Sequence, residues 1–113
     1  MITIYHNSRC SKSRGCLAIV QEQKEEINIV NYLQTPPSIE ELTEIIKLLG
    51  ISPIELVRKN EAIWKENYKG KDFTDTELIA ILSNNPKLIE RPIVVKGNKA
   101  VIGRPPEKVL DIL

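Results

Sequence analysis

The chain has little of what several common classes of protein require. It has one histidine and two cysteines, and neither cysteine lies in a CxxC…CxxC pattern, so we expect no metal site. Its 16 basic and 15 acidic side chains nearly balance, which argues against broad nucleic-acid binding. No apolar run approaches the roughly 20 residues of a membrane-spanning helix. We therefore expect neither nucleic acid nor a membrane as a partner.

The composition that remains is typical of a small globular protein. Hydrophobic residues make up 42% and charged residues 27% of the 113 positions, which predicts a single domain over residues 1–113. The opening MITIY leads almost at once to a cysteine segment and leaves no room for a signal peptide. We therefore expect a cytoplasmic protein with reduced thiols, and we expect it to be a monomer.

The order of periodic segments predicts an α/β fold. A short strand near residues 2–5 precedes a helical pattern over 13–23 and a β-branched strand over 27–33. Capping boxes at three hydroxyl residues then predict helix starts: Ser38, Ser52 and Thr74. Gly97-Asn98 predicts a hairpin, and residues 107–113 predict a last helix. This order of β-α-β, several helices and β-β-α is compatible with helices packed on a mixed, thioredoxin-like sheet.

The segment YHNSRCSKSR (5–14) carries the clearest chemical signal. Cys10 falls between the first strand and the first helix, where free backbone N–H groups and the helix dipole favour a thiolate. Four basic side chains can add positive field: His6, Arg9, Lys12 and Arg14. A buried packing cysteine is the alternative, and the polar neighbours make burial less favourable.

The same helix start is suited to an anion. Backbone amides at such a position bind oxyanions, and the hydroxyls of Ser11 and Ser13 can donate as well. A phosphatase CX5R loop is excluded, because the sixth residue after Cys10 is Cys16. Six helical residues separate the two thiols by about 240° and about 9 Å, beyond the reach of a disulfide. We therefore expect Cys16 to pack on the helix face.

At these residues the chain resembles the glutaredoxin-dependent arsenate reductase family. The resemblance runs nearly end to end, through IYHNSRCSKSR (4–14), YLQTPPS (32–38), LVRKNE (56–61), DFTDTELI (72–79), ERPIVV (90–95) and GRPPEKVLDIL (103–113). It implies a thioredoxin-like fold with a mixed central sheet flanked by helices. A helical insertion is expected between the second and third strands.

The resemblance also assigns roles to individual residues. It makes Cys10 the catalytic nucleophile, with three supporting residues around it: His6, Ser13 and Arg14. It assigns the binding of the oxyanion and the thiol-linked intermediates to three arginines: Arg58, Arg91 and Arg104. It makes Pro92 the cis-proline that faces the cysteine loop. From the sequence alone each arginine could instead be a solvated side chain, and Arg58 is expected on an amphipathic helix.

The activity implied by the resemblance is reduction of arsenate to arsenite through a cysteine–arsenic adduct. Glutathione would be the co-substrate and glutaredoxin a protein partner, with no bound cofactor and no metal. The chain departs from common arsenate-reducing members at Ser8, Ser11 and Lys12. One alternative is therefore a general glutathione- or glutaredoxin-linked thiol oxidoreductase acting on another oxyanion or a mixed disulfide. Another is an Spx-type regulator that binds RNA polymerase, although Ser13 replaces the second cysteine of its CxxC switch.

Overall fold

A four-stranded mixed sheet lies in the first of two units in the computed structural model, which describes residues 1–113. This unit joins residues 1–35 to residues 91–113. Its strands, in chain order, are β1 (Ile2–His6), β2 (Ile27–Asn31), β3 (Ile93–Lys96) and β4 (Lys99–Ile102). Their order across the sheet is β2-β1-β3-β4, with β1 and β2 parallel and the other pairs antiparallel.

The strand register brings four chain segments to one edge of the sheet. Tyr5 pairs with Ile93, which pairs in turn with Ile102, and His6 pairs with Asn31. The ends of β1, β2 and β4 and the beginning of β3 therefore lie side by side. We call this the loop edge, because the loops that follow His6, Asn31 and Ile102, and the segment that precedes Ile93, all leave the sheet there.

Helix α1 (Ser11–Gln21) and a 3-10 helix (Pro106–Asp111) contact each other and complete this unit. Alternate β1 residues pack with them in a core whose members are fully buried: Ile2, Ile4, Cys16, Val20, Val94 and Val109. Each such aliphatic side chain contributes about 1.5–3 kcal/mol on burial. The last helix differs from the expectation over 107–113, because it is a 3-10 helix that begins at Pro106 and ends at Asp111.

The second unit, Pro36–Glu90, is the helical insertion between the second and third strands, which confirms that prediction. It contains α2 (Ile39–Leu49), α3 (Ala62–Asn67) and α4 (Asp75–Asn84), with 3-10 turns at Pro53–Leu56 and Pro86–Leu88. Helix α4 contacts α2 and both 3-10 turns. None of the helices has both the length and the apolar character needed to cross a membrane.

The predicted capping boxes are all present, although the structure corrects the backbone around Arg58. Ser38 and Thr74 each bond with a glutamate three residues later, in both directions. At Ser52 the Glu55 carboxylate accepts the Ser52 N–H at 2.7 Å, and the Glu55 N–H donates to the Ser52 backbone carbonyl at 3.0 Å. Arg58 does not lie on an amphipathic helix. The 3-10 turn ends before it, because the neighbouring Val57 forms a β-bridge with Ile89 that requires extended backbone.

Candidate active site

Cys10 occupies the N-cap of α1. Its backbone is extended, with φ −95° and ψ 122°, and its carbonyl accepts the first helical hydrogen bond from the Arg14 N–H at 3.0 Å. Cys10 makes no side-chain capping bond, and the first turn carries no acidic residue. The free, partly exposed thiol therefore sits at the positive end of a helix whose leading amides no side chain caps.

Asn7 shapes the loop that carries Cys10. Its backbone N–H donates to Ser13 Oγ, its backbone carbonyl accepts from the Cys10 N–H, and its side-chain Oδ1 accepts from the Arg9 N–H, each at 3.0 Å. These three bonds tie the end of β1 to the start of α1. Sequence reasoning did not identify Asn7, although the tendency of Asn to bond the backbone two residues on was a usable signal.

His6 and Ser13 form a buried pair behind the loop. His6 Nδ1 lies 2.6 Å from Ser13 Oγ, and Ser13 has no exposed surface. Burial, and then the positive charge of Arg14, hold the pKa of His6 below its usual value of 6.5. The ring is therefore mainly neutral at pH 7 and does not add the positive field expected of it.

The position of Ser13 also changes its expected contribution. Its hydroxyl oxygen accepts the Asn7 N–H and pairs with His6 inside the loop. It therefore braces the loop from within, whereas the sequence suggested a donor to the anion. Arg14 is exposed, and its Nη1 donates to the Ser8 carbonyl at 3.0 Å, so this side chain folds back over the same loop.

Arg91 and Arg104 meet at the loop edge, in the same unit as Cys10. Arg104 Nη1 donates to the Arg91 carbonyl at 3.3 Å. Arg91 Nε is buried and has no hydrogen-bond partner. A buried charged donor without a partner is unfavourable, and a bound anion would relieve that cost. The Arg91-Pro92 and Arg104-Pro105 peptides are both cis.

Arg58 belongs to the second unit and already has acidic partners there. Its Nη1 lies 2.6 Å from a Glu61 carboxylate oxygen, and its Nε lies 3.8 Å from Glu90. An anion that bound Arg58 would compete with this pairing. Its role in holding an oxyanion stays a prediction.

Cys16 lies in the core, which confirms the packing prediction. It is fully buried and free, and burial raises the pKa of its thiol to about 11. A Cβ atom placed on Gly103 would lie 2.8 Å from Cys16 Sγ and 3.1 Å from Pro92 Cγ. Only glycine therefore lets the end of β4 pack this closely against α1 and Pro92. Cys16 is therefore shielded and poorly ionised, which leaves Cys10 as the candidate nucleophile.

A cavity of about 220 Å³ opens beside the cysteine loop, at the ends of β1 and β2. One wall consists of residues 6–9, and the other consists of Asn31, Leu33 and Gln34. Sequence reasoning did not find this cavity. The parallel pairing of the two strands was the available signal, because it carries both strand ends to one edge of the sheet.

Comparison with known proteins agrees with this geometry. The ArsC family model matches residues 5–112. The "Uncharacterized protein YfgD" of Escherichia coli K12 is 46% identical over 99% of this chain and 96% of its own. The arsenate reductase of Haemophilus influenzae is 44% identical, over 99% and 98% respectively.

A solved structure is similar to nearly the whole of this chain. The arsenate reductase from Vibrio cholerae matches with a TM-score of 0.93 at 44% identity, and the match covers 99% of this chain and 97% of that one. The α/β fold expected from the sequence, with its mixed sheet and helical insertion, is confirmed. The chain belongs to the ArsC family.

Proposed function

We propose that the protein is an arsenate reductase that works through Cys10, with glutathione as co-substrate and glutaredoxin as the protein that regenerates it. The observation that carries this proposal is the free cysteine at an uncapped, acid-free helix start. Membership of the ArsC family and relatives named arsenate reductase support arsenate as the substrate. The reaction consumes reduced thiols, so we place it in the cytoplasm, which maintains them.

In the first step the Cys10 thiolate attacks arsenate. A sulfur–arsenic bond forms, and one arsenate oxygen leaves as water after taking up protons. The backbone amides at the start of α1 are placed to stabilise the oxyanion, as preorganised donors do at developing negative charge. Arg91 supplies a charged donor at the same edge of the sheet, which supports a role in offsetting the anion's charge.

In the second step glutathione attacks the Cys10 sulfur. A disulfide bond forms, the sulfur–arsenic bond breaks, and its electron pair remains on arsenic, which becomes trivalent arsenite. Glutaredoxin then attacks the glutathione sulfur and releases the Cys10 thiolate by thiol–disulfide exchange. Two thiols are oxidised for each arsenic reduced, so the electrons balance. Cys16 has no part in this sequence, because it is buried in the core.

A coupled assay tests the proposal. Purified protein is supplied with arsenate, glutathione and glutaredoxin, and arsenite formation is measured. Cys10→Ser should abolish turnover, while Cys16→Ala should retain it. Turnover that persists in Cys10→Ser would contradict the mechanism. If the wild type formed no arsenite but its Cys10 exchanged readily with glutathione, a general thiol oxidoreductase would replace arsenate reductase as the conclusion.

The oxyanion role of Arg91 is tested separately. Lysine would keep the positive charge but lose the forked guanidinium donors, so Arg91→Lys should weaken arsenate binding about tenfold or more, as expected for a lost charge-assisted hydrogen bond. Protection of Cys10 from iodoacetamide by arsenate gives the affinity without requiring turnover. Equal protection in wild type and variant would remove Arg91 from the anion site.

A further inference from the structure

The cavity between the cysteine loop and the end of β2 is separate from the arginine pair. β1 lies between β2 and β3 in the sheet, and Cys10 follows β1. Arg91 and Arg104 therefore lie on the β3 side of the cysteine loop, while the cavity lies on its β2 side. Arg9, the residue directly before Cys10, forms part of the cavity wall.

The polar groups that line the cavity suit a peptide. Three of the residues that line it carry side-chain amides: Asn7, Asn31 and Gln34. Each amide can donate and accept a hydrogen bond, as a peptide group does. The amides of Asn31 and Gln34 make no hydrogen bond within the protein, whereas Asn7 uses only its oxygen, for the Arg9 N–H. The cavity thus retains several unused donors and acceptors.

The charge and size of the cavity narrow the choice of ligand further. Arg9 is the one cation among its lining residues, and no acidic side chain lines it, so a carboxylate is favoured over an ammonium group. Its volume of about 220 Å³ is below the roughly 300–1,000 Å³ of sites that enclose drug-sized ligands. It can therefore hold one end of a small peptide while the rest of the molecule extends toward Cys10.

We propose that this amide-lined cavity binds the carboxylate-bearing end of the small peptide thiol that attacks the Cys10 sulfur. The inference rests on the proposed thiol-dependent function and adds a binding site to it. The oxyanion and the reductant then occupy opposite flanks of the cysteine loop. A thiol held in the cavity would approach the sulfur of the adduct from the β2 side of the loop, opposite the side on which Arg91 lies.

A test that needs no arsenate separates this proposal from the substrate question. A thionitrobenzoate mixed disulfide is formed at Cys10 in a Cys16→Ala background. Glutathione attacks the Cys10 sulfur, forms a new disulfide bond and releases the coloured thionitrobenzoate anion, whose absorbance gives the rate. Mercaptoethanol, a thiol without peptide or carboxylate groups, is compared at equal thiolate concentration.

The variants are Asn31→Ala with Gln34→Ala, and the control is Asn28→Ala. Asn28 is an exposed amide on the same strand that does not line the cavity. The double variant should slow the reaction of glutathione about tenfold, as expected for the loss of two hydrogen bonds, and leave that of mercaptoethanol unchanged. Asn28→Ala should alter neither. Equal rates for glutathione in double variant and parent, or equal slowing of both thiols, would overturn the proposal.

The proposed contact between Arg9 and the glycine carboxylate of glutathione is tested by a separate comparison of rates. Glutathione esterified at its glycine carboxylate should react several-fold more slowly than glutathione with the parent protein, and Arg9→Gln should remove that difference. A double variant that slowed glutaredoxin but not glutathione would assign the cavity to a protein partner and contradict the proposal. Failure of arsenate turnover would leave these thiol-exchange rates readable, so the two proposals fail independently.

Discussion

The starts of helices α1 and α4 differ in whether side chains bond their free backbone N–H groups. At α4, Thr74 Oγ1 accepts the Glu77 N–H at 3.2 Å, and the Glu77 carboxylate accepts the Thr74 N–H at 2.9 Å. Asp75 adds a second acid to that first turn. At α1 the N-cap is Cys10, with no capping bond and no acid nearby. The α4 start is thus satisfied internally, whereas the α1 start is left for something else to satisfy.

The start of α1 lacks stabilising interactions that the start of α4 has. A capping side chain is worth about 1 kcal/mol, and an acid in the first turn adds a few tenths of a kcal/mol or more. Both are absent at α1 although the same chain uses them at α2 and α4. Internal bonds from Asn7, Ser13 and His6 hold the loop instead. The leading amides and the thiol therefore stay available to a substrate.

The largest expected effect comes from giving α1 the acid that α4 already has. Ser11→Glu places a carboxylate in the first turn, where it stabilises the helix but repels both thiolate and oxyanion. We expect the alkylation rate of Cys10 and the kcat/KM for arsenate to fall about tenfold or more, since about 1.4 kcal/mol of lost stabilisation suffices for that factor.

Thr76→Glu is the matched control for Ser11→Glu, because it adds the same charge to the first turn of α4. It should shift stability slightly and leave the reactivity of Cys10 unchanged. Iodoacetamide labelling followed by mass spectrometry measures both proteins. Unchanged labelling of Cys10 in Ser11→Glu would mean that the α1 start does not control the thiol.

A smaller effect is expected from removing the N-cap side chain at each helix. Thr74→Ala breaks a capping box and should lower the free energy of unfolding by about 1 kcal/mol. Cys10→Ala removes no capping bond, so its free energy of unfolding should stay within about 0.5 kcal/mol of wild type. Urea denaturation compares the two variants, and similar losses would show that Cys10 has a structural role at the helix start.

The smallest expected effect is on the pH dependence of the free energy of unfolding. His6, which braces the loop before α1, and Glu77, at the start of α4, contribute to it in different pH ranges. The pKa of His6 is lowered by burial and by Arg14, so the unfolded chain takes up the proton first. The contribution of His6 to stability is therefore complete above about pH 6.5 and falls as the pH drops below it. The pKa of Glu77 is lowered by its bonds to Thr74, so its contribution persists until the pH falls below about 4.5.

Urea unfolding at about pH 7.5 and about pH 5.5 measures this separation, since the two values bracket the histidine window alone. Wild type should lose stability between them, and His6→Gln should lose less. Glu77→Gln should follow the wild-type change across the same interval. A wild-type stability that does not change would show that His6 is not held neutral by the fold.

The parts of the fold that sequence predicts well are those set by local chemistry. Ser38 and Thr74 begin helices because their hydroxyls accept a backbone N–H three residues away. Ser52 begins a 3-10 turn in which its backbone N–H donates to the Glu55 carboxylate. The turn at Gly97 follows from its positive φ of 60°, which glycine adopts without strain. Such signals lie within a few residues of the feature that they determine.

The parts that sequence did not predict depend on distant segments. Arg58 lies outside a helix because the neighbouring Val57 is extended and bridges to Ile89, more than 30 residues away. Ser13 faces inward because His6 and Asn7, at the end of a strand, meet it. The cavity required the register between β1 and β2. The position of Cys10 at a helix start was predictable from its place between strand and helix, whereas the partners of each side chain were not.

The order of translation determines when Arg91 and Arg104 can come to lie near Cys10 in the folded sheet. β1 is an inner strand whose two neighbours are β2, about 25 residues later, and β3, about 90 residues later. Cys10 is translated before Arg91 and Arg104, which lie more than 80 residues further along the chain. Pairing over such a separation closes a long loop and is intrinsically slow. Until β3 pairs with β1, a nascent chain would therefore carry the Cys10 thiol without Arg91 and Arg104 beside it.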